Sequence, residues 1–359
     1  MSCSACQQRH VLISELRSKV PLRRALMLSI LTVLSMLPCM PAWPAQLPQL
    51  VTPNWAQVST YRDVKSYVDR STADLTATIP DLKGLQPVAN KAEGMKTLKP
   101  LLDRVGKNVQ EFYSKFPDTT SLEHITMQKF GPNGKIISSR HEVFRYLAIA
   151  PPGRGVSTLL EYRTNQAGKR VESAGLEYGY AVTSGFASTA IYLHPVLQPD
   201  SSFRFLGTQK LDGKETDVIA FAQRPAWADL TLQFNTGRKT INLLVQGLAW
   251  VDPGSYQIVR MRTDLLAPSP ETGLMGETTV VNFMEVQFPQ MPGTILWLPR
   301  KVTVSIKSAA RVPVKRTFDL PGGEGPVTAT DYVWAYETYR DIHRYSDYRL
   351  FTSKSTLKY

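Results

Sequence analysis

Alternating apolar and polar residues between Ile241 and Leu265 predict two β-strands joined by a tight turn. In the first strand, one parity consists of Ile241, Leu243, Val245, Ala249 and Val251. In the second strand, the less polar parity consists of Val259, Met261, Thr263 and Leu265. Alternation of this kind is typical of antiparallel strands that bury one face. The sequence Asp252-Pro253-Gly254-Ser255 favours a turn, because proline presets φ and glycine permits positive φ.

The same pattern predicts a succession of strands from residue 122 to residue 357. Turn signals at Asn133-Gly134 and Asp212-Gly213 place neighbouring strands in hairpins. The other predicted strands span residues 122–130, 135–149, 159–163, 203–211, 216–223, 230–234, 277–288, 295–306, 312–320, 327–339 and 348–357. About ten strands in hairpin order, with few helices, predict a mainly β fold built on one large antiparallel sheet.

A helix is predicted from Leu98 to Phe116, because large apolar residues recur there at spacings of three and four. These residues are Leu98, Leu101, Leu102, Val105, Val109, Phe112, Tyr113 and Phe116, and Pro117 follows them. The apolar stripe is wide enough to cover a sheet. Residues 46–97 show weak periodicity and predict a loosely packed, partly helical extension of a β domain that spans residues 98–359. A second, short helix is predicted within residues 185–194, where Pro195 ends it.

Several predicted strands carry large apolar side chains on both faces. Trp250 shares its parity with Leu244 and Leu248. Phe283 lies opposite to Val280, Met284, Val286 and Phe288, and Trp297 lies opposite to Leu296, Leu298, Val302, Val304 and Ile306. Strands that are apolar on both faces must be covered on both faces. The helix covers one face, and the other is either packed core or a ligand cavity. If it is a cavity, we expect Trp250, Phe283 and Trp297 to line the ligand-binding surface.

The first 45 residues have the features of a secretory signal peptide. Lys19, Arg23 and Arg24 precede an uncharged run from Ala25 to Leu37, and small residues follow it. The apolar run is shorter than the roughly 20 residues that a membrane-spanning helix needs. We therefore predict an exported protein, with an uncleaved anchor as the alternative.

Composition limits the bonds and binding partners expected of the exported chain. All three cysteines, Cys3, Cys6 and Cys39, lie in the predicted signal peptide, so no disulfide is expected. Residues 1–45 also contain five basic residues and one acidic residue, so their removal lowers the net charge from +12 to +8. A positive charge favours contact with an anionic lipid or polysaccharide surface, and a basic, soluble exported protein that contacts neither is the preferred alternative. The basic residues are scattered, which argues against nucleic acid as a partner.

No catalytic or cofactor-binding motif stands out. The histidines His124, His141, His194 and His343 have no metal-ligand spacing, so neither a metal nor a cofactor is predicted. Six carboxylates lie in or beside predicted strands: Glu161, Asp229, Asp252, Asp264, Glu277 and Glu285. Carboxylates of a glycosidase meet in space rather than in sequence, and nothing in the sequence selects two of these six. Whether the protein is an enzyme stays open, with no catalytic residue to nominate.

The central hairpin resembles a motif of the periplasmic lipoprotein-carrier superfamily, G-x-x-W-[VI]-D followed by I-V-R. Here it reads Gly247-Leu248-Ala249-Trp250-Val251-Asp252 and then Ile258-Val259-Arg260. The preceding hairpin adds Phe205, Leu211, Gly213 and Val218. The resemblance covers about residues 98–359. It implies a half-open, strongly curved β-barrel with a helix on its concave side, and the binding of acyl chains, or of a lipidated or envelope protein, rather than catalysis.

The leading hypothesis is therefore an exported, non-enzymatic protein of the periplasm or cell envelope that binds an apolar ligand or an envelope partner. A secreted hydrolase that uses scattered carboxylates is the first alternative. The second is a structural envelope protein that assembles through its aromatic C-terminal segment, Tyr332 to Tyr348.

Overall fold

The structure is a computed structural model that describes residues 60–150, 159–171, 185–235, 240–319 and 326–351. The predicted signal peptide and its three cysteines lie outside these residues, and their assignment stays a prediction. Within the described ranges, no helix is both long and apolar enough to cross a membrane.

The described chain contains two α-helices and fourteen β-strands. The helices are α1 (Thr72–Thr78) and α2 (Lys91–Lys115). The strands are β1 (Gln86–Pro87), β2 (Thr119–Phe130), β3 (Ile136–Ile149), β4 (Leu160–Thr164), β5 (Arg170–Val171), β6 (Ser201–Leu211), β7 (Lys214–Gln223), β8 (Leu232–Asn235), β9 (Thr240–Leu243), β10 (Val245–Val251), β11 (Ile258–Leu265), β12 (Leu274–Gln287), β13 (Ile295–Asp319) and β14 (Pro326–Leu350).

Twelve of these described strands form one antiparallel sheet, in the order β1-β6-β7-β10-β11-β12-β13-β14-β2-β3-β4-β5. Strands β8 and β9 pair separately. The sheet is not closed and has a covering helix. The predicted fold class, a mainly β protein with one large antiparallel sheet and a covering helix, is thereby confirmed.

The hairpin β10–β11 forms as predicted, with one irregularity. The side chain of Asp252 caps the turn by accepting hydrogen bonds from the backbone N–H groups of Gly254 and Ser255, at 3.1 and 2.7 Å. The register then shifts, so that Trp250 faces Arg260 while Val251 faces Ile258. This β-bulge leaves Val259 as the extra residue. The predicted grouping of Val259 with Met261 is wrong for this reason.

Helix α2 begins at Lys91, earlier than the predicted Leu98. The side chain of Asn90 caps it, accepting a hydrogen bond from the N–H group of Glu93 at 2.9 Å. Pro100 therefore lies inside the helix, although proline is usually tolerated only in the first turn. The helix buries its predicted apolar stripe, with Leu101, Val105 and Val109 at its centre.

The face of the sheet that packs against α2 is called the inner face. The side chains buried on this face form a large hydrophobic cluster. It joins the helix to strands on both sides of the sheet through Ile125, Met127, Phe221, Ala249, Met261, Val281, Val302 and Val304. At about 25 cal/mol per Å² of apolar surface, burial of this cluster is a main source of stability.

The opposite, outer face is covered by the N-terminal segment. Leu206, Val218, Ala220, Leu248 and Trp250 of the sheet pack against Tyr67, Leu75, Ile79, Leu82 and Leu85. Arg262 donates to the carboxylate of Asp81 at 2.5 Å and fixes this segment further. The expectation of loose packing is wrong for the described part of residues 46–97. The prediction that both faces are covered is confirmed.

Two other local predictions differ from the structure. The predicted helix within residues 185–194 is a short 3₁₀ helix, Thr189–Leu193. The breaks predicted near residues 307–311 and 340–347 are absent, because β13 and β14 are each continuous over 25 residues. In the second case polar side chains point into the core: Asp341 is 1% exposed and His343 is 0% exposed. These polar residues interrupt the alternation of apolar and polar positions from which a strand is predicted.

Candidate functional site

An apolar cleft lies on the inner face, between α2 and strands β11 to β13. Its walls are mostly hydrocarbon and aromatic rings, with a few polar side chains among them. The lining residues are Asn108, Val109, Phe112, Ala187, Ala190, Tyr256, Gln257, Ile258, Phe283 and Trp297. A concave, mostly apolar site with a few polar groups is the usual form of a small-molecule binding site.

The turn of the central hairpin holds α2 above this cleft. Asn108 donates a hydrogen bond to the carbonyl oxygen of Ser255 at 2.8 Å. The guanidinium of Arg104 stacks 4.6 Å from the ring centroid of Tyr256, which has a positive φ of 58°. The hairpin that carries the family resemblance therefore also fixes the distance between helix and sheet.

Phe283 and Trp297 meet in the cleft, and both pack with the inner cluster. Phe283 faces Pro299 and Glu285 faces Trp297, whereas Asn282 faces Lys301. The extra residue at this bulge reverses the parity of β13. Trp297 therefore packs with the cluster of Val302 rather than opposite to it, and the predicted face assignment of Trp297 is wrong in that respect.

Trp250 lies on the other face of the sheet. Its side chain is fully buried under the N-terminal segment, and its Nε1 donates to Oε1 of Gln209 at 2.8 Å. The Nε2 group of Gln209 in turn donates to the carbonyl oxygens of Asp81 and Lys83. The structure thus brings two of the three predicted ligand-binding residues together, and it places Trp250 in the outer core.

The segment from Phe186 to Leu193 separates the cleft from a second, larger cavity. Ala187 and Ala190 face the cleft, whereas Phe186, Ser188 and Ile191 face the second cavity. The carboxylate of Glu161 holds the segment, accepting hydrogen bonds from the N–H groups of Ala187 and Ser188 at 3.1 and 3.0 Å. It also accepts from the hydroxyl of Ser188, at 2.5 Å, and from that of Tyr146.

The second cavity has a more polar lining than the cleft. Thr231, Thr263, Thr279, Glu161 and Glu277 contribute to it. Burial raises the pKa of Glu277 to about 7, although the hydrogen bond from Thr279 at 3.3 Å acts in the opposite direction. Burial also raises the pKa of Glu161, against the hydrogen bonds from Ser188, Tyr146 and Ala187.

Of the six carboxylates considered from the sequence, Glu161 and Glu277 are the two that line this cavity. Asp264 pairs with Arg262 at 2.7 Å, and Asp252 caps the hairpin turn. No group of three side chains suited to hold a metal ion occurs among the residues that the structure describes.

A buried polar network lies at the other end of the inner face, and sequence reasoning missed it. Arg163 donates two hydrogen bonds to the carboxylate of Glu123, at 2.6 and 2.8 Å. Tyr345 donates to the same carboxylate at 2.6 Å, and Nδ1 of His343 lies 2.9 Å from it. Burial acts to raise the pKa of Glu123, but the charge of Arg163 and the hydrogen bond with His343 lower it to about 2.

Two members of this region have buried polar atoms without a hydrogen-bond partner in the described structure: both carboxylate oxygens of Asp341, and Nε2 of His343. Burial raises the pKa of Asp341 to about 8, although the charge of Arg163 acts to lower it. Burial also lowers the pKa of His343. Asp341 and His343 are two residues apart on one strand. That spacing is the signal that would have placed them on one face.

No family model matches the sequence, and no curated protein matches it. Among solved structures, the chain is similar to a domain assigned to outer membrane lipoprotein sorting from Vibrio parahaemolyticus, with 10% identity over 75% of this chain and 96% of that one and a TM-score of 0.35. It is also similar to a DUF1329 family protein from Desulfovibrio piger, with 9% identity over 72% of this chain and 95% of that one and a TM-score of 0.32.

Proposed function

We propose that the protein is an exported, non-enzymatic binding protein of the periplasm or cell envelope. It holds an apolar chain, either the acyl chain of a lipid or that of a lipidated protein, in the cleft between α2 and strands β11 to β13. The observation that carries this proposal is the cleft itself, where Phe283 and Trp297 meet Phe112 of the helix. Export rests on the signal peptide predicted from residues 1–45.

The cleft suits an acyl chain for a physical reason. A methylene group transferred from water to an apolar wall gains about 0.8 kcal/mol, and the walls offer few polar groups that would have to lose water. The polar residues Asn108, Tyr256 and Gln257 lie along the turn side of the cleft. They provide the few hydrogen-bonding groups that orient the polar end of an amphiphile.

A titration with a dansyl-labelled fatty acid tests the proposal. We expect saturable binding that Ala190→Phe abolishes, because the added ring fills the cleft. Trp297→Ala should weaken binding about tenfold, which corresponds to a loss of roughly 1.4 kcal/mol of apolar contact.

Matched controls for these variants lie outside the cleft. Ala73→Phe places the same ring on an exposed position of α1, and Trp227→Ala removes a tryptophan that is 48% exposed. Both should bind the fatty acid as the unaltered protein does. Equal binding by the Ala190→Phe variant would show that the apolar ligand does not occupy the cleft.

The hydrolase hypothesis has one observation in its favour, since Glu161 and Glu277 line the same cavity. The oxygens of Glu161 are, however, occupied by hydrogen bonds from Ser188, Ala187 and Tyr146. A carboxylate engaged in this way positions the segment between the cavities and is not available as a nucleophile or base. We therefore place binding ahead of hydrolysis.

A further inference from the structure

Strands β13 and β14 extend beyond the rest of the sheet as a two-stranded ribbon, defined here as residues 309–319 and 326–336. Strand β12 pairs with β13 only as far as Ser308, and β2 pairs with β14 only as far as Thr338. Beyond these points the two strands pair with each other, from Ala309 opposite Tyr336 to Asp319 opposite Pro326. Eleven residues per strand span about 35 Å.

One face of this ribbon exposes three large aromatic side chains in a row. Tyr332, Trp334 and Tyr336 are 54%, 50% and 66% exposed. They are spaced by two residues along one strand, so all three project from the same face and form a stripe about 13 Å long. Contiguous exposed apolar surface of this kind marks an interaction site more often than a single exposed residue does.

The residue types in and around the stripe indicate a lipid surface as its binding partner. Tyrosine and tryptophan combine an apolar ring with a polar group and concentrate at the boundary between lipid headgroups and hydrocarbon. Lys315 is exposed and lies opposite Thr330, on the face that carries the stripe. The acidic Asp331 lies on the other face, where it pairs with Arg316 at 3.4 Å.

We propose that this face of the ribbon docks on an anionic membrane surface, with Trp334 at the level of the lipid headgroups. The net charge of the chain, +12 overall and +8 without residues 1–45, complements such a surface, because basic residues are attracted to anionic lipid. The inference does not depend on the apolar cleft. It assigns the exposed aromatic segment, considered from the sequence as an assembly surface, to lipid rather than to a protein partner.

Vesicle binding by the exported protein, purified from its own host, tests this inference. Vesicles of phosphatidylglycerol and phosphatidylcholine should bind the protein more tightly than vesicles of phosphatidylcholine alone, and added salt should weaken the difference. Replacing Tyr332, Trp334 and Tyr336 together by serine should reduce binding about tenfold or more. Lys315→Ser should reduce it about fivefold on anionic vesicles only.

A triple serine variant of Met95, Val196 and Trp227 is the matched control, since these side chains are 58%, 63% and 48% exposed elsewhere on the molecule. It should bind vesicles as the unaltered protein does. Acyl-brominated phosphatidylglycerol should quench the emission of Trp334, so the unaltered protein should lose more fluorescence than Trp334→Phe. Unchanged vesicle binding by the ribbon variant, without quenching of Trp334, would overturn the proposal. The same outcome is expected if the ribbon instead binds a protein that co-purifies with the chain.

Discussion

At the scale of single residues, the sequence predicts some members of the candidate site and misassigns others. Phe283 and Trp297 are identifiable as large aromatic side chains on strands that are apolar on both faces, and they meet in the cleft. Trp250, the third residue expected to line that surface, lies on the outer face with Leu248, as the parity of its strand indicates. Alternation instead misplaces Trp297 relative to Val302. A bulge reverses parity wherever one extra residue enters a strand, and no residue type marks the bulge at Pro299 to Lys301 in advance.

The buried carboxyl of Asp341 makes stability depend on pH. Its pKa is raised to about 8 in the folded protein, against about 3.9 in an unfolded chain. The folded state therefore holds this proton more tightly, and the free energy of unfolding falls as pH rises from about 4 to about 8. Asparagine at this position cannot ionise, so Asp341→Asn removes the fall in stability at high pH.

We expect Asp341→Asn to match the unaltered protein near pH 4 and to be more stable by up to about 5 kcal/mol near pH 8.5, since a shift of about four pKa units corresponds to about 1.4 kcal/mol per unit. Urea unfolding at the two pH values measures the difference. The control is Asp212→Asn, whose side chain is 90% exposed and which should have little effect at either pH. A stability difference that does not grow with pH would contradict the assignment of a buried, neutral Asp341.

Elements were predictable where the apolar pattern was local. The hairpins β2–β3, β6–β7 and β10–β11 follow from alternation and from turn residues, and α2 follows from its stripe. The long strand β14 was divided in error, since its inward positions include charged residues. The short helix predicted within residues 185–194 is a 3₁₀ helix over Thr189–Leu193 only, and hydrogen bonds to Glu161 fix the residues before it. Tertiary contacts of this kind are invisible in a local pattern.

Two glycines of α2 test how closely the helix packs against that segment. A Cβ atom at Gly106 would lie 3.3 Å from the carbonyl oxygen of Leu193 and 2.6 Å from Nε2 of Gln198, whereas one at Gly94 would meet Val88 at 3.5 Å. Alanine in a helix is favoured over glycine by about 1 kcal/mol. Gly94→Ala should therefore stabilise the protein by up to about that amount.

Gly106→Ala should destabilise the protein instead, because the new methyl group pushes the helix away from Leu193. Thermal or urea unfolding of the two variants gives the comparison. If Gly106→Ala were as stabilising as Gly94→Ala, the close packing of α2 on the segment would be wrong.

At the scale of the described residues, the protein is a sheet covered on both faces, by α2 on the inner side and by the N-terminal segment on the outer side. The need for two covers follows from strands that are apolar on both faces. The order of strands in the sheet follows only partly from the sequence. The neighbours β14 and β2 are joined by no hairpin, and neither are β1 and β6. Such long-range pairings leave no signal in turn residues.

The central claim is that the inner cleft holds an apolar chain. The most direct test is native mass spectrometry, followed by solvent extraction, on the exported protein purified from its own host. We expect an added mass that the extract identifies as a lipid or acyl compound, retained in Trp227→Ala and lost in Ala190→Phe. An unliganded mass with no extractable lipid, or the same bound lipid in both variants, would contradict the claim.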